Sequence, residues 1–209
     1  MGIYVKGALG AFSGKVGNIV GSSWRSIDYL RSLPKPSKKA ATEKQKAHRA
    51  KFALAIEFLS PMREIINIGF SDKSQKKMTA FNQATNELIT KIAGEYPSFS
   101  IPYENVRFSR GSLSNIPANV EQRISGEIDV TWSTSVHRLG AVADDVVHII
   151  LYHENSQDFF VFQDAVREDG QYVVDPEGLG TGVFHIWIMV ISKDGQKRSS
   201  SKYFETVEL

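Results

Sequence analysis

Cysteine is absent from this 209-residue chain, which excludes disulfide bonds, thiolate metal sites and thiol nucleophiles. Long apolar runs are absent too, since the longest, at residues 183–191, is far shorter than the roughly 20 residues of a membrane-spanning helix. The first residues lack a charged segment followed by an apolar stretch, so we expect no secretory signal peptide. We therefore expect a soluble protein with no membrane partner; its localisation stays unknown, cytoplasmic or virion-associated by default.

Recognisable catalytic and ligand-binding motifs are also missing. Residues 10–16 resemble a phosphate-binding loop, but only three residues separate Gly10 from Gly14, and Val16 stands where Ser or Thr is required. The five histidines have no spacing typical of a metal site, and no serine lies in a complete acyl-enzyme motif. We expect no cofactor, no metal, no small-molecule substrate and no enzymatic activity. An enzyme whose site is assembled in space, without a local motif, remains the alternative.

Glycine marks the first segment, residues 1–34, with closely spaced glycines at positions 7, 10, 14, 17 and 21. Such spacing destabilises a helix, so this segment, here called the arm, is predicted to form short strands or an extended structure. Its apolar side chains still need burial, and an isolated hairpin is only marginally stable in water. We predict that the arm docks on the helices, on the sheets or on a neighbouring copy. The predicted contact residues are Phe12, Val16, Ile19, Val20, Trp24 and Ile27.

Helical periodicity begins after the prolines at positions 34 and 36. Thr42 and Gln45 form a capping-box pattern, which predicts a helix that starts near Glu43 and ends at Ser60-Pro61. A short continuation is predicted to reach Gly69. A further helix is predicted over about residues 76–93, with Gly94 as its stop.

From about residue 103 the apolar pattern changes to a period of two. Short strands are predicted over residues 104–109, 127–133, 146–153, 158–166, 171–175, 183–192 and 200–207. Seven strands with turn signals between them favour an antiparallel β-sandwich of the immunoglobulin or fibronectin III kind. Its predicted core includes Trp132, Ile149, Leu151, Ile186 and Ile188.

The predicted fold class is therefore α+β, with a glycine-rich β arm, a helical middle and an antiparallel β-sandwich at the carboxyl-terminal end. Two domains are predicted: residues 1–102 hold the arm and the helical region, and residues 103–209 hold the sandwich.

Charge is distributed unevenly along the chain. Residues 1–100 carry 16 Lys and Arg against 7 Asp and Glu, whereas the remainder carries 9 against 16. This asymmetry favours either polyanion binding by the first half or head-to-tail contact between identical copies. The densest positive segment, residues 31–51, is the predicted nucleic-acid contact, in which a salt-sensitive and sequence-independent interaction is expected. It consists of Arg31, Lys35, Lys38, Lys39, Lys44, Lys46, Arg49 and Lys51.

Several stretches together resemble a known family. Residues 7–32 read GALGAFSGKVGNIVGSSWRSIDYLRS and resemble the opening of an uncharacterised domain-of-unknown-function family common in Bacteroidetes. Its middle is similar to residues 80–82 and to Tyr103, Val106, Ser109 and Gly111. Its end is similar to the positions around Trp132, Asp144, Arg167 and residues 201–203. The resemblance covers nearly the whole chain. It supports the predicted fold and implies no catalytic residue.

The leading functional hypothesis is a non-enzymatic structural or assembly protein, with self-association or another protein as its partner. A virion-like or surface-layer subunit that makes contacts through its arm fits this layout, because strand addition needs no ligand pocket. Sequence-independent binding of nucleic acid by residues 31–51 is the alternative.

Overall fold

A computed structural model describes residues 2–3, 12–24, 27–36, 39–71, 78–123, 126–136 and 140–208. Helices and antiparallel strands are mixed in it, so the α+β class is confirmed. The strands of the described residues fall into one sheet from the arm, a small hairpin, and two sheets from the carboxyl-terminal half.

The arm forms a sheet of its own, here called the arm sheet, with strands in the order β1-β4-β3-β2. Its strands are β1 (Gly2–Ile3), β2 (Gly14–Val16), β3 (Ile19–Trp24) and β4 (Ile27–Ser32). All pairs are antiparallel. The prediction of short strands in place of a helix is therefore confirmed for the described residues of the arm.

The helical middle contains α1 (Glu43–Leu59), α2 (Arg63–Gly69) and α3 (Ala80–Ile89). The predicted capping box starts α1: the Gln45 amide donates to the Thr42 hydroxyl at 3.3 Å, and the Thr42 amide donates to the Gln45 side chain at 3.1 Å. The end of α1 before Pro61 and the short helix up to Gly69 are confirmed as well.

The third helix is shorter than the predicted span of 76–93. The prediction is wrong at its carboxyl-terminal end, because α3 stops at Ile89 and Ala93–Glu95 forms strand β5, paired with β6 (Ser98–Ser100). The predicted start is wrong as well, because Thr79 has an extended backbone and caps α3 by accepting from the Asn82 amide at 3.1 Å. Residues 76 and 77 lie outside the described part of the chain.

The carboxyl-terminal half forms two antiparallel sheets, with strand orders β10-β9-β12-β13 and β11-β8-β7. Their strands are β7 (Ala118–Gln122), β8 (Ile128–Trp132), β9 (Val146–His153), β10 (Phe159–Val166), β11 (Gln171–Val174), β12 (Val183–Ile191) and β13 (Lys202–Glu208). Six of them agree closely with predicted strands.

The strand predicted at residues 104–109 is wrong. Tyr103–Asn105 is a 3₁₀ turn, and the following residues are held by side-chain hydrogen bonds in place of a strand ladder. The Phe108 amide, for example, donates to the Ser201 hydroxyl at 2.9 Å. Val106 and Phe108 are buried, which explains the misleading apolar alternation. The strand at Ala118–Gln122 escaped prediction because Val120 is its only buried apolar residue.

The sheet formed by β9, β10, β12 and β13 is covered on both faces. Ile150, Tyr152, Trp187 and Met189 pack with the helices in one apolar cluster. The alternate residues of β9 and β12 pack with the three-stranded sheet in a second cluster. Burial on both faces explains why these two strands are almost continuously apolar.

The second cluster contains the predicted core residues. Trp132, Ile149, Leu151, Ile186 and Ile188 are all buried in it, as expected from the period of two. The helices share their cluster with the sheet, so residues from both predicted domains contribute to one core. The boundary at residue 102 stays a prediction.

Candidate assembly surface

The arm sheet is organised by a tight turn at Gly17 and Asn18. Gly17 has a φ of +58°, a left-handed conformation that glycine adopts easily and that suits the first central residue of a two-residue hairpin. The turn places Val16 opposite Ile19. Strands β3 and β4 then pair along their full length, so that opposed side chains share a face of the sheet.

One face of the arm sheet is apolar around a glycine. Gly21 lies on this face, opposite Leu30 and two residues after Ile19. A β-carbon at Gly21 would lie 2.8 Å from Cε2 of Phe12, so the missing side chain leaves room for that ring. Val16 extends the same face beyond Ile19. Three of the six predicted arm residues, Phe12, Val16 and Ile19, are therefore brought together.

The opposite face of the arm sheet combines apolar and basic side chains. The other three predicted arm residues lie here: Val20, and the directly opposed pair Trp24 and Ile27. Lys15 and Arg31 flank Val20 on either side in the neighbouring strands. The arm thus has two faces of different chemistry: one is apolar around Gly21 and has Asp28 toward one end, and the other combines apolar side chains with positive charge.

The apolar side chains of the arm remain accessible to solvent. The exposed fraction is 40% for Phe12, 63% for Val16, 46% for Ile19 and 47% for Trp24, while Val20 and Ile27 are half-buried. No described arm residue belongs to either apolar cluster of the body, which here means residues 39–208. Of the three predicted docking places, the helices and the sheets therefore bury none of these side chains in their cores.

Two further arm residues escaped the sequence-based prediction. Leu30 lies on the apolar face beside Phe12, and Tyr29 lies on the basic face beside Ile27. Both are half-buried. The sequence IDYLRS of β4 has no strict apolar alternation, because Tyr29 and Leu30 are adjacent, so only the strand pairing assigns them to opposite faces.

The predicted nucleic-acid residues are spread over the arm, the connector and α1. Arg31 lies near the end of β4, and Lys35 and Lys39 lie in the connector between β4 and α1. The first half of α1 holds Lys44, Lys46 and Arg49. Lys38 lies outside the described residues. The six named side chains are exposed, and the buried residues of α1 all lie in its second half, at Ala55, Phe58 and Leu59.

Lys46 and Lys51 each contact another group of the same chain. Lys46 Nζ lies 2.9 Å from the Glu43 carboxylate, in an exposed helical pair. Lys51 is half-buried: its Nζ donates to the Ile92 carbonyl at 3.0 Å and lies 5.0 Å from the centre of the Phe99 ring. Lys51 therefore attaches α1 to the hairpin of β5 and β6, which is a structural role.

A cluster of titratable side chains lies where the helical layer meets β9 and β12. His185 Nδ1 is 3.1 Å from the Tyr203 hydroxyl, and its Nε2 is 3.8 Å from the Glu154 carboxylate. The ring of Tyr103 covers His185 at a centroid distance of 3.9 Å. Burial lowers the pKa of His185, although Glu154 opposes this shift. Burial also raises the pKa of Tyr103, and Tyr152 and Glu154 add to that rise.

These residues are the closest approach to acid-base machinery in the described part of the chain. They come from positions 103, 152, 154, 185 and 203, so no local motif could have revealed them. His185 is buried beneath Tyr103, and its Nε2 has no hydrogen-bond partner. The enzyme alternative would have to rest on this cluster.

A buried ion pair serves the body of the protein. Arg167 Nε lies 3.3 Å from the Asp145 carboxylate, and both side chains are almost fully buried. Arg167 also donates to the Ser114 carbonyl at 2.9 Å, and its own carbonyl accepts from the Trp132 indole at 3.0 Å. Arg167 and Trp132, two positions of the family resemblance, therefore connect strand β8 with the loops that contain Ser114 and Asp145.

The described residues have neither a cluster of metal ligands nor a membrane-spanning helix. There, no group of three or more histidine, aspartate or glutamate side chains is arranged to hold a metal ion. None of the described helices has the length and apolar character needed to cross a membrane.

Comparison with known proteins yields a family but no function. The chain matches, over residues 11–205, the model of a family described as a family of unknown function, DUF6266. No curated protein matches the chain. The match includes residues 11–34 of the arm, the helices and both sheets of the body, in agreement with the resemblance inferred from the sequence.

Proposed function

Because the chain belongs to DUF6266, a family of unknown function, we propose a function from its own surfaces: it is a non-enzymatic structural subunit that self-assembles through its arm sheet. The observation that carries this proposal is the exposure of Phe12, Val16, Ile19 and Trp24 on a sheet with no described residue in the cores of the body. Burial of such side chains against a neighbouring copy removes apolar surface from water, which is the main driving force of association.

Contact with a neighbouring copy would stabilise the arm, because it would bury apolar side chains that an isolated arm leaves in water. Apolar side chains that stay in contact with water add no hydrophobic stabilisation to the arm sheet. Exposed apolar patches on ordered elements commonly mark interaction sites. A subunit of a virion-like or surface-layer lattice would use such an arm to join copies.

The body is proposed to be an immunoglobulin-like sandwich that presents the arm. This proposal is supported by seven antiparallel strands in two sheets and by one apolar cluster to which both sheets contribute. Sandwiches of this kind serve many proteins as binding modules, so the analogy is one of fold and assigns no partner by itself.

The arm can be tested with one pair of matched substitutions. In the double variant Val16→Asp/Ile19→Asp, two opposed apolar residues of the arm become charged, which should prevent their burial. Val142→Asp is the control, because Val142 is 52% exposed on the body. In sedimentation velocity, we expect oligomers of the wild type and of the control, and monomers of the arm variant. Identical oligomers of all three proteins would refute the role of the arm.

A second candidate function is supported by the basic segment. Five basic side chains of this segment are exposed: Arg31, Lys35, Lys39, Lys44 and Arg49. The first half of α1 has no buried side chain, so its surface is accessible to a ligand. Lysines and arginines in such a layout neutralise phosphates and release counterions. Changing Lys39, Lys44 and Arg49 to Glu should abolish a mobility shift of single-stranded or duplex DNA at low salt. If the unmodified protein gives no shift, this candidate function is wrong.

A further inference from the structure

In the part of the chain that the structure describes, strand β10 is an open edge of the larger sheet in the body. It stands at one end of the strand order β10-β9-β12-β13 and pairs with β9 on one side. The backbone groups along an open edge are a template for another strand.

The outward backbone groups of β10 belong to Phe159 and Val161. The His153 amide donates to the Asp158 carbonyl at 2.9 Å, which marks these opposed residues as a hydrogen-bonded pair. In an antiparallel ladder such pairs alternate with pairs that do not bond to each other. Phe160, opposite Leu151, therefore bonds to β9, whereas Phe159 and Val161 direct their amide and carbonyl groups away from the sheet.

A groove runs along this open edge. It has a volume of about 400 Å³ and lies between the edge and the turn that joins α1 to α2. Phe159, Val161 and Ile65 give it apolar walls, and Glu64 and Asp158 give it negative charge. The groove therefore offers backbone groups, apolar surface and charge to one extended segment.

The surroundings of the groove are acidic. Between positions 154 and 169 the chain has five acidic residues and one basic residue, Arg167. Arg167 is buried against Asp145 and does not offset the charge at the surface. The arm has the opposite sign, with four basic residues and one acidic residue between positions 1 and 34.

We propose that the edge of β10 receives the β2 edge of the arm sheet from a second copy of the chain, by strand addition. Among the described residues, strand β2 is the last strand of the order β1-β4-β3-β2 and is therefore an open edge too. Val16 and Ile19 flank the two-residue turn and form its hydrogen-bonded pair, so the backbone groups of Lys15 point outward. With Lys15 opposite Val161, its ammonium group lies on the helical side of the sheet, where Glu64 lines the groove.

This docking rests on the proposed function and specifies its geometry. The arm and the edge of β10 are different surfaces, so the contact is heterologous. Each copy then offers its own arm to the next copy, and the contact generates rings or filaments in place of a closed dimer.

A proline substitution at the open edge tests the site. Val161→Pro removes an outward amide and spares the ladder with β9, so it should raise the dissociation constant of the oligomer by about tenfold or more. Val173→Pro is a matched control on the edge strand β11. There the Trp132 amide donates to the Gly170 carbonyl at 2.8 Å, so Val173 also directs its amide outward by the same alternation. The control should assemble like the wild type.

A charge exchange tests the occupant. Lys15→Glu alone and Glu64→Lys alone should each weaken assembly of the full-length protein, and the double variant should recover it, because the two charges meet between copies. Circular dichroism checks that every variant is folded. If the single variants assemble normally, or if the double variant is weaker than both, the arm of a second copy does not occupy the groove.

The outcomes separate the two proposals. If Val161→Pro assembles like the wild type while Val16→Asp/Ile19→Asp is monomeric, the arm mediates assembly but docks elsewhere, and the edge of β10 is excluded. If the wild type is itself monomeric, the proposed function and the docking site are both wrong.

Discussion

Trp132 illustrates how single side chains hold the body together. Its ring is buried in the cluster shared by the two sheets, and its indole nitrogen donates to the Arg167 carbonyl at 3.0 Å. The alternation of residues 127–133 was enough to predict its burial, because each second residue of a half-buried strand faces the core. The buried partner Arg167 could not be predicted, since its ion pair joins positions far apart in the chain.

Replacing Trp132 by Ala should lower the free energy of unfolding by about 3–5 kcal/mol, the usual cost of removing a large aromatic ring from a core. Trp132→Phe is the control, because it keeps an aromatic ring and loses the hydrogen bond to Arg167. It should cost clearly less. Urea denaturation followed by circular dichroism measures both. Equal stability of the alanine variant and the wild type would contradict the burial of Trp132.

Two buried histidines make stability depend on pH. Burial lowers the pKa of His148 and of His185, although Val146 and Glu154 respectively oppose the shift. The unfolded chain therefore takes up protons at these positions below about pH 6.5, before the folded chain does. The free energy of unfolding should decrease as the pH falls from about 6.5 toward the lowered values.

Urea denaturation at pH 7.5 and 5.5 measures this decrease. His185→Gln should reduce it, because the substituted chain has one fewer group whose protonation favours unfolding. The exposed His48 offers the matched substitution His48→Gln, which should retain the wild-type decrease. A stability that rises on acidification, or a His185→Gln variant with the full decrease, would count against this account.

At the scale of elements, the sequence predicted helix ends correctly where the stabilising hydrogen bonds join residues that are close in the chain. The capping box of Thr42 and Gln45 located the start of α1, because both hydrogen bonds lie within one turn of helix. The end of α3 was missed because Gly94 was interpreted as a helix stop, whereas it lies in a hairpin with a φ of +88°. A left-handed glycine serves both purposes, and only the pairing of β5 with β6 distinguishes them.

The caps of α1 and α3 should respond differently to the same substitution. Thr79 starts a helix whose Phe81 and Leu88 are buried, so Thr79→Ala should lower the free energy of unfolding by about 1 kcal/mol. Thr42 starts the exposed half of α1, so Thr42→Ala should fray residues 43–50 with little global effect. Hydrogen exchange detects the fraying, and urea denaturation detects the global loss. A larger global loss for Thr42→Ala would mean that the first half of α1 is held by contacts beyond those described.

At the scale of the whole molecule, the fold class could be predicted from the sequence, whereas the faces of the arm sheet and the open edge of β10 could not. The period of two and the helical periodicity were sufficient for the α+β class, because burial imposes them on each element. The arm was recognised from its glycines, and its six contact residues were named from their apolar character alone. Their distribution over two faces needed the register of β2, β3 and β4. The open edge of β10 left no local signal, since it depends on the order of strands in a sheet.

The mass of the full-length protein in solution tests the assembly account most directly. After nuclease treatment, sedimentation equilibrium over a range of micromolar concentrations is measured in about 0.1 M and about 1 M salt, between which the Debye length falls from about 10 Å to about 3 Å. We expect a mass of at least two chains of 23.3 kDa in both buffers, with weaker association at high salt, because apolar burial and backbone hydrogen bonds persist when charges are screened. A mass of 23.3 kDa at every concentration in both buffers would contradict the account.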